Sequence, residues 1–197
     1  MTQNISEEDQ KKICAMFFYL QDISLELQAC SNILHQIKEK LEDSEENVLA
    51  LATLSRVIFN YTVINVFKAG ELIYNNQGFI KDYFPKSLEK LNKFKSEFWT
   101  NDLKNYRNKY VAHHSDKKKK EREDTSPFLS RGELLKLMCR ILKIDNESKM
   151  IEGLVRYMSK LYNKSNFLEG DKDTLCYTIN NLSSEIKGDL KIELERN

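Results

Sequence analysis

Apolar residues near the start of the chain recur by threes and fours. Ile13, Phe17, Leu20, Ile23, Leu27, Cys30, Leu34, Ile37 and Leu41 fall on one stripe of a single amphipathic helix over about residues 6–42. Ser6 followed by Asp9 resembles a capping box with the shorter acid, and Glu7 and Glu8 suit the positive end of the helix dipole. A second helix is predicted after Asp43-Ser44, running to about Tyr74-Asn75-Asn76. From Leu49 to Phe67 it is apolar on most sides, broken mainly by Arg56, Asn60 and Asn65, the pattern of a buried central helix. Asn76-Gln77-Gly78 predicts its end and a loop reaching Phe84-Pro85. Pro85 suits the first turn of a third helix, with Leu88, Leu91, Phe94 and Phe98 as its inner face. Thr100-Asn101-Asp102 reads as a break and a fresh N-cap. The fourth helix then carries Leu103, Tyr106, Tyr110 and Val111 before it ends at Ser115-Asp116.

Residues 116–128, DKKKKEREDTSPF, are polar or charged up to Phe128 and predict an exposed, mobile loop. Beyond it, Ser130 and Glu133 form a capping box for a helix with Leu134, Leu137, Met138 and Ile141. Asp145 is placed to cap another with Ile151, Leu154, Met158 and Leu161, and a last helix carries Leu175, Ile179, Leu182, Ile186 and Leu190. No segment alternates with period two, and only six Gly and two Pro punctuate the chain, so long elements are expected. The expected fold is all-α: an antiparallel bundle of six or seven helices in one domain over residues 1–197, without internal repeats.

Composition narrows the class. With 41% hydrophobic residues among 197, the chain can build a core and is not a disordered tail. No uncharged stretch exceeds eleven residues, short of the roughly 20 needed to span a bilayer. The opening MTQNISEEDQKK lacks an apolar signal region, so a soluble, cytoplasmic protein without membrane contact is expected. Cys14, Cys30, Cys139 and Cys176 are scattered among apolar helical neighbours and read as small core residues rather than a metal set or disulfide framework.

Charge changes the picture more. The formal net charge is +1, yet Lys104 to Arg122 holds eight basic and two acidic residues, a local +6 against −5 for the remainder. A basic cluster on an otherwise acidic chain fits a polyanion partner, although a lysine-rich loop can also be merely solvated. His113 and His114, two of the three histidines, lie inside it. On an ideal helix Arg107 and His113 stand about 9 Å apart along the axis and roughly 120° around it, whereas Arg107 and His114 fall within about 20° of one face. Either pair could address one phosphodiester, and helical geometry alone does not choose.

Arg107-Asn108-Lys109-Tyr110-Val111-Ala112-His113 resembles the R-polar-x4–6-H signature of the HEPN superfamily, in particular its abortive-infection and toxin-like branch, which often reads RNKYxAH. The resemblance is sharp over residues 103–116 and architectural elsewhere. It implies a metal-independent endoribonuclease of toxin or phage-defence type that needs no cofactor and works as a homodimer, with two motifs facing across the interface. RNA would be cut by attack of its own 2′-OH, giving 2′,3′-cyclic phosphate and 5′-OH ends. Arg107 would hold the phosphate, and His113, at the family's position directly after Ala, would move protons. His114 is the alternate histidine or an orienting neighbour, and Asn108 a phosphate or histidine partner. Lys104, Lys109 and Lys117, Lys118, Lys119 and Lys120 would grip the RNA backbone. Tyr106 and Tyr110 could stack on a base or simply pack.

Two departures matter. Some relatives carry a tyrosine two residues after the histidine as the target of an antitoxin, but here those positions hold Ser115 and Asp116, which puts that form of control in doubt; an antitoxin or regulatory protein stays open as a partner. Several superfamily members also keep the fold without nuclease activity, so a helical module that binds RNA or a protein is the competing reading. Elsewhere His35 reads as a surface residue and Trp99 as core. Arg56, set in an apolar helix where arginine is rare without a partner, reads as structurally paired rather than as a phosphate ligand.

Overall fold

A computed structural model describes residues 5–43, 48–108, 131–162 and 174–194. The sequence order is α1 (Glu7–Asp43), α2 (Val48–Asn75), α3 (Gln77–Tyr83), α4 (Pro85–Phe98), α5 (Asn101–Tyr106), α6 (Arg131–Leu142), a 3-10 turn (Glu147–Lys149), α7 (Met150–Leu161) and α8 (Leu175–Gly188). Among the described residues there is no strand, and the fold is the all-α helical bundle that the periodicity predicts. None of these helices is long and apolar enough to cross a membrane.

The two longest helices set the frame. Cys30 on α1 faces Thr62 on α2, and Glu26 faces Tyr61. Tyr83, just beyond α2, donates its hydroxyl to Asp9 at 2.9 Å. Moving back along α1 therefore means moving forward along α2, so the pair is antiparallel. α7 and α8 cover the other side of α1, α4 lies between α2 and α8, and α5 rests on α2 and α6. One apolar cluster gathers side chains from every α-helix, with Ile13, Leu20, Leu27, Val63, Ile73, Ile80 and Ile186 fully enclosed.

Several local signals act as the sequence suggests. The Ser6 hydroxyl accepts from the Asp9 N–H at 3.1 Å and donates to its carboxylate at 2.9 Å. Pro85 opens α4, where a missing N–H is harmless. Thr100 caps α5 by accepting from the Leu103 N–H, and the structure adds a cap the sequence reading did not name, Thr174 at the start of α8. Cys30 and Cys176 are buried, Cys14 and Cys139 half-buried, and all four are free thiols; burial pushes Cys176 up to about 11.

Four expectations are corrected. The stretch after Asn76 is helix rather than loop, because Phe79, Ile80 and Tyr83 give it an apolar face and Ile80 is fully enclosed. That element takes the count to eight α-helices among the described residues, above the six or seven expected. The cap before α7 is Asn146, whose side chain accepts from the Ser148 N–H, while Asp145 sits 3.8 Å from Lys149. α2 is not buried all round: Leu54, Val57 and Tyr61 are 40%, 55% and 42% exposed, and Arg56 is exposed too, so it needs no buried partner. His35 is exposed, as expected. The predicted loop at 116–128 and the Ser130 cap lie outside the described residues.

Candidate functional site

α5 is short, and its position depends on one residue. Tyr106 is fully buried, packs edge-on against Phe59 of α2 with ring centroids 5.1 Å apart, and donates its hydroxyl to Asn60 Oδ1 at 2.5 Å. The Asn60 that seemed to interrupt an apolar helix is thus the acceptor that lets a tyrosine be enclosed. Burial excludes Tyr106 from base stacking; of its two roles, packing is the one realised.

The chain leaves this anchor at Arg107, half-buried and immediately next in sequence. Arg107 continues the helix, with α-helical backbone angles and its N–H bonded to the Leu103 and Lys104 carbonyls. The Arg107 guanidinium lies 4.7 Å from the centre of the Phe67 ring and donates from Nη1 to Asn108 Oδ1 at 3.1 Å. Phe67 is two helical turns beyond Asn60 on α2, so one helix seats both the anchor and the arginine. Among the described residues no carboxylate pairs with Arg107. A guanidinium stacked on a ring and spared a carboxylate keeps its donors for an anion.

Lys104, one turn before Asn108, is half-buried with Nζ 3.8 Å from the centre of the Trp99 ring. The two neighbouring carboxylates are occupied: Asp102 accepts from Arg140 at 3.2 Å and Glu97 from Lys160 at 2.7 Å. The structure therefore brings Lys104, Arg107 and Asn108 to one edge of the bundle. Lys109, Tyr110, His113, His114 and Lys117 to Lys120 lie outside the described residues. Among the described residues no group of His, Cys, Asp or Glu is arranged to hold a metal ion.

Trp99 also belongs to this edge, and sequence reasoning placed it only in the core. It is partly buried, at the joint between α4 and α5, against Gly70 of α2. A Cβ at position 70 would meet the indole Cγ and Cδ1 at a spacing no real contact shows, so glycine is what lets Trp99 lie on the helix. Gly70→Ala is expected to destabilise the fold. The better helix propensity of alanine, about 1 kcal/mol, is outweighed by overpacking of about 1–3 kcal/mol. The lone tryptophan should report the change, its emission shifting to the red as the indole is pushed outward. An unchanged spectrum and melting temperature would refute this account of Gly70.

No curated protein and no solved structure matches the chain. The family model for the HEPN-like integron domain does, over residues 9–147. The match begins in α1, takes in α2 to α6 and the whole motif segment, and stops within the turn before α7. The all-α bundle, the arginine set at the end of α5 and this match lead to one assignment: the chain belongs to the HEPN-like integron domain family, within the HEPN-type superfamily.

Proposed function

We propose that the protein is a metal-independent endoribonuclease whose active site is completed between two copies of the chain. The observation that carries this reading is Arg107, stacked on Phe67, bonded to Asn108 and free of carboxylate partners among the described residues, six positions before His113. RNA brings its own nucleophile, so no metal-activated water is required. A base takes the proton of the 2′-OH as its oxygen bonds to phosphorus. The P–O5′ bond then breaks, and an acid returns a proton to O5′. The phosphoryl oxygens gain negative charge on the way, and a bidentate guanidinium is suited to stabilise it.

His113 is the proposed proton carrier, since an imidazole is the side chain suited to moving protons near neutral pH. One chain supplies one Arg107/His113 pair, whereas the reaction wants both a base and an acid. A two-fold dimer supplies the second from the partner. His114 orients or substitutes for His113, and Lys104, Lys109, Tyr110 and Lys117 to Lys120 hold the substrate strand. A role as a growth-arresting toxin or in phage defence agrees with this chemistry, with RNA as substrate and an antitoxin or other regulatory protein as a further partner.

Purified protein incubated with end-labelled single-stranded RNA in EDTA is expected to cut it. The 5′ ends of the products should accept phosphate from a kinase without prior phosphatase treatment, and the 3′ ends, closed by a cyclic phosphate, should resist periodate oxidation. Binding without any cleavage in EDTA would overturn the nuclease reading in favour of a non-catalytic module.

A further inference from the structure

Beside the arginine the bundle exposes a ring. Tyr74, on the last turn of α2, is 58% exposed, the most exposed large hydrophobic residue among those described. It is held rather than loose: its ring lies 5.3 Å from that of Trp99, tilted by 41°, and Lys95 of α4 reaches to 5.6 Å from its centre. Trp99 in turn lies 6.2 Å from Phe67, whose other neighbour is Arg107. Tyr74, Trp99 and Phe67 thus form a continuous aromatic row from the open surface to the arginine. Lys95, Lys104 and Arg107 each lie against one ring of it.

Such a row is poorly explained by folding alone. An exposed tyrosine gains little from burial, and three like charges spaced along adjacent rings repel one another. None of the three is in an ion pair among the described residues, and Asp102 and Glu97, nearby in sequence, pair with Arg140 and Lys160. Even with Glu71, exposed one turn before Tyr74, the patch keeps a net positive charge. A flat ring open to solvent, flanked by ammonium groups at intervals, matches the alternation of base and phosphate along a single strand.

We propose that this row is the track on which single-stranded RNA enters the site, with a base stacked on Tyr74, phosphates on Lys95 and Lys104, and the scissile linkage beyond them at Arg107. The proposal rests on the ribonuclease reading for the placement of the scissile linkage, but not for the binding itself. Trp99 acts as the buttress that fixes the Tyr74 ring, and the glycine at position 70 is what allows that buttress to lie flat.

The test uses a short 2′-O-methyl oligoribonucleotide, which lacks the nucleophile and so reports binding separately from cleavage. The chain has one tryptophan, so quenching of Trp99 emission reads occupancy of this patch directly. Wild type is expected to show saturable quenching. Tyr74→Ala, an exposed position that leaves the core intact, should weaken affinity roughly tenfold, and Tyr74→Phe should restore it. Lys95→Ala and Lys104→Ala should each flatten the dependence of log affinity on log salt by about 0.7, the loss of one phosphate contact. No quenching in the wild type, or Tyr74→Ala binding as tightly as the wild type, overturns the proposal. So does a Tyr74→Ala protein whose only change is weaker self-association, since the row would then be an interface between copies. If the oligonucleotide binds through Tyr74 but unmodified RNA is never cut, the track stands and the ribonuclease reading fails. If RNA is cut and Tyr74→Ala changes nothing, the track alone fails.

Discussion

Replacement of Arg107 by alanine is expected to lower single-turnover RNA cleavage in EDTA by about two to three orders of magnitude, the effect of removing a donor that meets charge developing in the transition state. Arg107→Lys should recover little, because an ammonium cannot reproduce two parallel N–H bonds to phosphate. The protein should still fold. Arg107 is half-buried and its contact with Phe67 contributes about 0.5–1 kcal/mol, too little to unfold a domain of ordinary stability. His113→Ala should fall by about 10²–10⁴-fold, the usual contribution of positioned acid–base catalysis. His114→Ala should fall less, and the reverse order would transfer the proton-carrying role to His114. Because the site needs a proton carrier from each chain, excess His113→Ala protein added to wild type should lower activity by more than dilution, since mixed dimers lose one of the two. That loss is expected only if the two motifs meet across an interface. Wild-type rates in both single variants would end the proposed mechanism.

How far the sequence foretells this molecule depends on the range of the interaction involved. Ser6 with Asp9, Pro85 and Thr100 act within four residues, and each does in the structure what its local chemistry suggests. The apolar stripes of α1, α4 and α8 were legible for the same reason, since a period of 3.6 is a local property. The errors are instructive. Leu54, Val57 and Tyr61 look like core residues because hydropathy cannot tell which neighbours will arrive to cover a face. The residues after Asn76 carry turn chemistry, and the enclosure of Ile80 overrides it.

The site divides in the same way. Arg107 and Asn108 could be singled out from a short motif, but nothing local reveals that Phe67 seats the guanidinium or that Asn60 anchors the residue before it. Tyr74 and Trp99 stand 25 residues apart in sequence, and only the packing of α4 and α5 against α2 brings them together with Lys95 and Lys104. Arg107 keeps α-helical backbone angles, with its N–H bonded to the Leu103 and Lys104 carbonyls. Both histidines lie outside the described residues, and the His113→Ala and His114→Ala variants choose between them.

Tyr106 carries the second large effect, on stability first and on chemistry through it. Its ring is wholly enclosed between α5 and Phe59 of α2, so Tyr106→Ala should cost about 3–5 kcal/mol, in the range found for buried aromatic truncations. Against a typical total of about 5–15 kcal/mol, that is enough to bring the melting temperature down by many degrees. Tyr106→Phe keeps the ring and removes only the O–H, leaving the half-buried Asn60 Oδ1 without its donor, at a cost of about 1 kcal/mol. Asn60→Ala should cost a similar amount, and the double variant Asn60→Ala with Tyr106→Phe should be less destabilised than the sum, since both remove the same bond. Urea denaturation reads these differences as shifts in midpoint at constant slope. Tyr106→Phe should leave RNA affinity unchanged, because an enclosed ring cannot meet a base, while Tyr106→Ala should lose cleavage as α5 loosens and Arg107 drifts from Phe67. A Tyr106→Ala protein that melts and cuts like wild type would mean that α5 is held by something other than this tyrosine, and the account of how the arginine is positioned would have to be rebuilt on α6.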